Sequence, residues 1–260
     1  MPFTLSHPAA ILPLRKYLPL SALIVGSMSP DFEYLLRLAG VSRFSHTLPG
    51  VFYFCLPVSL LLLWLFHSLI KRPAIELLPS YFRERVETRP LEFTFWSAPR
   101  LLLIITAIVI GALTHVWWDS FTHEYGYVVE RWPLLQSDVA LYAGHELKVF
   151  KLLQYSSSII GLLFLSTSLI YWLRRAPAVK IKKRGALPES VARVIAMCII
   201  AFTILSGIGL GLWSALEESG SFSLRVFVVQ TAIGGMLSFA VSILLYSLIM
   251  QVALPRITTH

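Results

Sequence analysis

The chain has 260 residues, of which 56% are hydrophobic and only 14% are charged, and its mean hydropathy is +0.72. Soluble domains carry about 25% charged residues, so this composition excludes an ordinary water-soluble globular protein and favours the bilayer as solvent. The formal net charge of +8 does not indicate nucleic-acid binding, because the basic residues fall in short loops between apolar runs.

The first apolar run, Leu18–Met28, is too short to cross a membrane. As a helix its eleven residues reach only about 16 Å. Two interpretations remain open: a buried or re-entrant segment, or the first half of a helix that continues through Asp31 to about Ala39. A signal peptide is disfavoured, because a long apolar lead precedes the basic pair Arg15 and Lys16.

Five later runs approach or exceed the roughly 20 residues that cross a hydrocarbon core. They are approximately Val51–Ile70, Leu101–Trp118, Phe150–Leu173, Val194–Trp213 and Val226–Leu248. We therefore predict an all-α, polytopic membrane protein with about five transmembrane helices, forming a single domain over residues 1–260. Residues 1–160 are expected to hold the functional site, and residues 161–260 to be membrane helices.

The loop charges predict an orientation in the membrane. Residues 71–100 and 174–190 hold six basic residues each, whereas residues 119–149 hold two and residues 214–223 hold none. The positive-inside rule places the two basic loops in the cytoplasm. The loop that follows His115 then lies on the outer side, together with the residues just before the first span.

The segment GALTHVWWDSFTHEYG ends the second span with ionisable side chains. His115, Asp119 and His123 are four residues apart, so they share one face of a helix. Imidazole and carboxylate together suit zinc, manganese or iron. The alternative is an ordinary interfacial helix end with an aromatic belt at its two tryptophans. Three ionisable groups on one face favour the metal site.

Three earlier residues can complete such a site. Asp31 in SMSPDFEY follows the short apolar run, where a charge is costly without a partner, although it can also cap a helix or pair with Arg37. His46 in RFSHTLPG precedes the first full span and can equally be a surface histidine. His7 in TLSHPAA can equally be a buried histidine with a backbone partner. His145, in the outer loop, is a candidate for a second metal.

The order of these residues carries a resemblance. The chain resembles a bacterial integral-membrane family of unknown function whose members open with MPFTLSHPAA-like sequences. The similarity covers roughly residues 1–160, through GSMSPDFEY, SHTLPG and HVWWDSFTHEYG. This resemblance implies a multi-pass protein of the bacterial inner membrane, and the loop charges predict that the candidate site lies on its outer side.

More distantly, the pattern is similar to the inner-membrane metal-dependent hydrolases associated with LexA regulation. It is also similar to the all-helical, zinc-dependent phospholipase C and P1-nuclease group. That resemblance implies one zinc ion held by Asp31, His46, His115 and Asp119. It also implies a further zinc ion shared by His7 and Asp119.

The sequence departs from that group at one place. The group has a second His-x-x-x-Glu pattern, whereas here His145 is followed four residues later by Val149. The resemblance therefore supports a single zinc site and leaves further metals without a complete ligand set.

Two classes of function remain. The first is a metal-dependent hydrolase that acts on a phosphoester or other lipid-linked ester, with His123 or Glu124 as base or orienting residue and membrane lipid as its partner. The second is a non-catalytic transporter or assembly factor that uses the same His/Asp cluster. The last three spans contain almost no charge that could line a transport route, which favours the first class.

Overall fold

The structure is a computed structural model that describes residues 3–86, 93–95, 97–140, 146–179, 187–217 and 222–253. Its helices are α1 (Pro8–Ile11), α2 (Leu20–Met28), α3 (Phe32–Arg37), α4 (Leu48–Glu76), α5 (Ser80–Val86), α6 (Ala98–Thr122), α7 (Tyr127–Arg131), α8 (Pro133–Gln136), α9 (Val149–Arg175), α10 (Glu189–Glu217) and α11 (Leu224–Ala253). Between α8 and α9, the strands β1 (Asp138–Ala140) and β2 (Glu146–Lys148) form a short antiparallel pair.

Five of these helices are long and apolar enough to cross a membrane: α4, α6, α9, α10 and α11. Each contains one of the five predicted apolar runs and extends it by one or more residues at both ends, because helices continue past the hydrocarbon core into the interfacial layers. The prediction of an all-α, polytopic membrane protein with five spanning helices is confirmed.

The sequence left open whether the N-terminal segment is buried or re-entrant, or is the first half of a helix that continues through Asp31. The structure is nearer to the second interpretation. Helix α2 has nine residues, a 3-10 turn follows at Ser29–Asp31, and α3 continues the helical path to Arg37. The turn contains Pro30, which has no backbone N–H to donate to a regular helical hydrogen bond. The segment is therefore helical through Asp31 but is divided at the proline.

The chain divides into two compact units. Unit 1 consists of residues 1–32, 42–63 and 94–174, and unit 2 of residues 33–41, 64–93 and 175–260. All candidate metal ligands belong to unit 1. The expectation of a single domain over residues 1–260 stays a prediction.

Helices α2 and α6 cross at very short range within unit 1. A Cβ atom on Gly111 of α6 would lie 2.6 Å from the backbone nitrogen of Ser27 and 2.7 Å from the carbonyl oxygen of Leu23. Only glycine fits such a backbone contact. The crossing brings the end of α2 against α6 one helical turn before His115.

Unit 2 contains the pair α10 and α11, which also pack through glycine. A Cβ atom on Gly207 would lie 2.8 Å from the carbonyl oxygen of Thr231 and 3.1 Å from the backbone nitrogen of Gly235. Small residues let membrane helices approach closely, so this contact is explained by packing.

Candidate metal centre

Helix α6 supplies two side chains of the site from one face. His115 and Asp119 are both buried, and their Nε2 and Oδ2 atoms are 3.3 Å apart. The four-residue spacing places them one turn apart, as the sequence predicted.

Two further side chains come from separate parts of unit 1. Asp31 ends the 3-10 turn after α2, and its Oδ1 lies 3.5 Å from His115 Nε2. His46 lies in the loop before α4, and its Nε2 is 3.6 Å from Asp31 Oδ1 and 3.3 Å from Asp119 Oδ2. The fold thus brings together residues that are up to 88 positions apart in the chain.

These separations match the edges of a metal coordination polyhedron. The four residues Asp31, His46, His115 and Asp119 each offer one ligand atom, and all four atoms lie within 4.8 Å of one another. Zinc binds imidazole nitrogen and carboxylate oxygen at about 2.0–2.2 Å, so the edge of a tetrahedral site is about 3.4 Å. Four contacts in the cluster are 3.3 to 3.6 Å long. The cluster can therefore hold an ion of this size.

The far nitrogen of His115 fixes which ring atom faces the cluster. His115 Nδ1 is 2.7 Å from the carbonyl oxygen of Ser27. A carbonyl oxygen only accepts, so Nδ1–H must donate. When the ring is neutral, Nε2 carries the lone pair, and it points at both carboxylates. Such a backbone partner is typical of metal-binding histidines.

His46 is oriented in the same way through a serine hydroxyl. Ser45 Oγ lies 2.6 Å from the carbonyl oxygen of Pro30 and 3.1 Å from His46 Nδ1. The single hydroxyl hydrogen is donated to Pro30, so Ser45 Oγ accepts from His46 Nδ1–H. Nε2 of the neutral ring is again left as a ligand atom.

The two carboxylate oxygens of Asp31 have different neighbours. The Thr4 hydroxyl donates to Asp31 Oδ2 at 2.5 Å, while Oδ1 faces the histidines. Burial disfavours the ionised carboxyl, but the neighbouring His115 and His46 outweigh burial and lower the pKa of Asp31 below its usual range. Asp31 is therefore a carboxylate with one oxygen directed at the site.

His7 lies at the edge of the cluster. Its ring stacks on His115 with a centroid distance of 3.6 Å, and its Nε2 is 3.6 Å from Asp119 Oδ1. Burial, together with the charge of His115, lowers the pKa of His7 to about 3, so its ring is neutral. His7 contacts the oxygen of Asp119 that faces away from the four-residue group.

His123 and Glu124 follow the end of α6. His123 Nδ1 donates to the carbonyl oxygen of Asp119 at 3.1 Å and is 3.6 Å from Asp119 Oδ2. Burial lowers the pKa of His123. Glu124 is exposed. Their roles as base or orienting residue stay predictions, and His145 lies outside the described residues.

The charges and unpaired atoms of the cluster also fit a divalent cation. Two carboxylates with neutral histidines carry a charge of about −2, which one divalent ion neutralises. Asp31 Oδ1 and His115 Nε2 are buried, and neither forms a hydrogen bond within the described residues. Buried polar atoms are nearly always paired, so their convergence indicates a missing partner.

Sequence reasoning named the four residues of the cluster but missed the groups that orient them. Thr4 and Ser45 were not predicted, nor were the carbonyl groups of Ser27 and Pro30. The only signal was local, because a serine directly precedes His46 and Thr4 stands three residues before His7. Backbone carbonyls leave no signal in a sequence.

Comparison with known proteins shows the family of this chain. The sequence model of a family described as a domain of unknown function, DUF4184, matches residues 1–248. The chain belongs to the DUF4184 family. That match includes every residue of the cluster and confirms the expected family of unknown function. No curated protein and no solved structure matches the chain, so no hydrolase relative supports the more distant resemblances of this DUF4184 protein.

Proposed function

We propose that the protein is a metal-dependent hydrolase of the bacterial inner membrane, with one zinc ion held by Asp31, His46, His115 and Asp119. The observation that carries this proposal is the convergence of four ligand atoms that all lie within 4.8 Å of one another, with four of their contacts at 3.3 to 3.6 Å. The protons on the far nitrogens of both histidines support it, since they leave both ligand atoms directed inward.

The donor set favours a transition metal such as zinc over calcium and magnesium. Two imidazoles and two carboxylates suit zinc, and also manganese or iron, whereas calcium and magnesium prefer oxygen ligands alone. The short edges of the cluster correspond to bonds of about 2.1 Å, which is shorter than calcium requires.

The accessible side of the site is formed by histidines. The side chains of His46 and His123 are 20% and 29% exposed, whereas His115 and both carboxylates are buried. A bound zinc ion lowers the pKa of a water molecule to about 7 and polarises a phosphoryl or acyl oxygen. His123 donates through Nδ1, and its Nε2 is buried with no hydrogen-bond partner among the described residues, so Nε2 of the neutral ring is free to accept a proton.

Turnover requires an open coordination position in addition to the four protein ligands. Closed tetrahedral sites are structural, whereas catalytic zinc keeps a free position or expands to five ligands. Exposure of the His46 side of the cluster supports a fifth position there. A structural zinc site would bind metal equally well and catalyse nothing, so metal content and activity need separate tests.

The location of the site suggests the substrate class. The loop charges place the residues before α4 and after α6 on the outer side of the membrane. A site at the end of a spanning helix borders the headgroup layer, where phosphoesters and lipid-linked esters are found. We therefore propose a lipid phosphoester or lipid-linked ester as the substrate.

Metal content tests the centre itself. The native protein, His115→Ala and Asp119→Ala would be purified in detergent at matched folding and measured by mass spectrometry, with His67→Ala as a control outside the cluster. We expect about one zinc ion per native chain, retained in His67→Ala and lost in both cluster variants. A native protein that stays metal-free after reconstitution would contradict the proposal, and a liposome flux assay would then test the transporter alternative.

Activity separates a catalytic from a structural centre. Zinc-loaded protein would be screened against phosphoester and lipid-linked ester substrates, and His123→Ala compared with the native chain. General-base catalysis contributes about 10²–10⁴-fold, so His123→Ala should keep its zinc and lose activity by that factor. Glu124→Gln tests the alternative base in the same assay. Zinc-loaded native protein without activity on any of these substrates would favour the structural centre.

A further inference from the structure

We propose that the segment between α6 and β1, residues 123–136, lies in the headgroup layer of the membrane with its aromatic face against lipid. This interface segment contains the short helices α7 and α8. The sequence analysis predicted only that this loop lies on the outer side of the membrane. The proposal does not depend on the metal centre or on hydrolase activity.

The buried face of the interface segment attaches it to two spanning helices. Val129 and Leu135 are buried against Phe150 near the start of α9, and Phe121 near the end of α6 packs on the same group. The segment therefore stays at the depth of these helix ends and does not extend away from them.

The lengths of α6 and α9 set that depth. Phe150 lies 24 residues before Arg174, which is about 36 Å along a helix, and Phe121 lies 21 residues after Arg100, which is about 32 Å. The hydrocarbon core is about 30 Å thick and the bilayer with headgroups about 40–45 Å. If each arginine marks the opposite boundary, both phenylalanines lie just beyond the hydrocarbon edge.

The exposed face of the segment has the composition of a membrane interface. Its large exposed side chains are Tyr125 (84%), Tyr127 (66%), Trp132 (50%) and Leu134 (59%). Tyrosine and tryptophan concentrate at the headgroup level, where the ring contacts lipid and the polar atom contacts water. Four large exposed side chains of this kind within so short a segment are unusual on a surface that contacts only water.

Continuity with the lipid-facing surface of α6 identifies lipid as the occupant. Trp117 is 65% exposed and Trp118 40% exposed on the last turns of α6, directly before the segment begins. Two of the three charged side chains of the segment, Glu130 and Arg131, form an ion pair at 3.9 Å, and the Arg131 guanidinium covers the Tyr127 ring. The third, Glu124, is exposed, which is compatible with the polar headgroup layer. His123 opens the segment, so lipid headgroups border the cluster.

Fluorescence quenching in vesicles tests the depth of the segment. The parent is Cys198→Ala, in which the remaining cysteine, Cys55, is buried, and it also measures background labelling. Trp132→Cys and Leu134→Cys would be labelled with an environment-sensitive fluorophore in phosphatidylcholine and phosphatidylglycerol vesicles. Leu163→Cys, exposed in the middle of α9, is the hydrocarbon control. Circular dichroism would confirm that each variant is folded.

Three quenchers distinguish the possible environments. We expect nitroxide on the lipid headgroup to reduce emission at positions 132 and 134 more than nitroxide in the middle of the acyl chain, with the reverse order at position 163. Quenching by aqueous iodide alone would place the segment in water and overturn the proposal. Protection from all three quenchers would show that protein covers it, a second copy of the chain included, and would overturn it equally.

Discussion

The two units compensate their buried and half-buried carboxylates in different ways. In unit 2, Glu33 pairs with Arg37 at 2.6 Å and Glu76 pairs with Arg83 at 3.4 Å. In unit 1, histidines and one threonine hydroxyl are the partners of Asp31 and Asp119 in the described residues. Arginine is a permanent cation, whereas histidine is neutral over much of the physiological range.

This difference indicates which carboxylates need a metal ion to balance their charge. A carboxylate paired with arginine is complete within the protein. A pair of carboxylates surrounded by histidines gains its compensating charge from protons or from a metal ion. The comparison therefore locates the candidate function in unit 1 and assigns the ion pairs of unit 2 to structure.

The largest expected effect is a loss of zinc affinity, and it tests the difference between the two units at two nearby residues. Asp31→Asn and Glu33→Gln make the same change of charge at two buried carboxyl groups two positions apart. Asp31→Asn removes a ligand. Loss of a residue that only hydrogen-bonds to a ligand costs up to about 100-fold in metal affinity, so loss of the ligand itself should lower zinc affinity further. Glu33→Gln should leave zinc affinity unchanged. Competition with a chelator measures both, and equal losses would contradict the division between the units.

The next effect concerns the group that holds Asp31. Thr4→Val removes the hydroxyl that donates to Asp31 Oδ2 and keeps the shape of the side chain. Loss of such a partner lowers metal affinity by about 10- to 100-fold. Thr167→Val is the matched control, because the Thr167 hydroxyl donates only to carbonyl groups of its own helix. Unchanged affinity in Thr4→Val would show that Asp31 is oriented without Thr4.

A smaller effect compares the glycines of the two units. Gly111→Ala places a Cβ atom 2.6 Å from backbone of α2, and we expect it to lower the free energy of unfolding by about 2 kcal/mol. Gly209→Ala in α10 meets no atom within 4 Å and should stabilise its helix by up to about 1 kcal/mol. Thermal unfolding in detergent measures both. A neutral Gly111→Ala would mean that the close crossing is not required.

Much of the fold was predictable because hydrocarbon imposes a simple rule on sequence. Each of the five runs had to be apolar over about 20 residues, and each became one spanning helix. Pro30 signals a break in the helix, because proline cannot donate a backbone hydrogen bond, but the short apolar run did not show whether the helical path continues beyond it. Local packing decides that question.

The candidate site was predictable only in part for a similar reason. The pair His115 and Asp119 follows from helical spacing, which a sequence displays directly. The approach of Asp31 and His46 depends on the crossing of α2 and α6 and on the loop before α4. The resemblance named Asp31 and His46 as candidate ligands, but helical spacing alone could not show that they lie near His115 and Asp119. The Ser27 carbonyl that orients His115 depends on tertiary structure alone.

The last expected effect is a pH dependence of zinc affinity, which the arginine-paired carboxylates of unit 2 would not produce. Burial disfavours the charged form of His46, but contacts with Asp119 and Asp31 outweigh it and raise its pKa. Below that pKa a proton occupies Nε2 and competes with the metal, so affinity should fall as the pH falls. Each displaced proton costs about tenfold in affinity per pH unit.

Zinc affinity measured from about pH 8 to about pH 6 tests this sign, because histidine titrates in that range. His46→Asn is the control, since it removes the titrating ring and should bind more weakly but with a shallower pH dependence. Affinity that stays constant in the native protein would mean that His46 releases no proton on binding. The negative charge of the carboxylates in unit 1 would then be balanced by a permanent positive charge, as arginine balances it in unit 2.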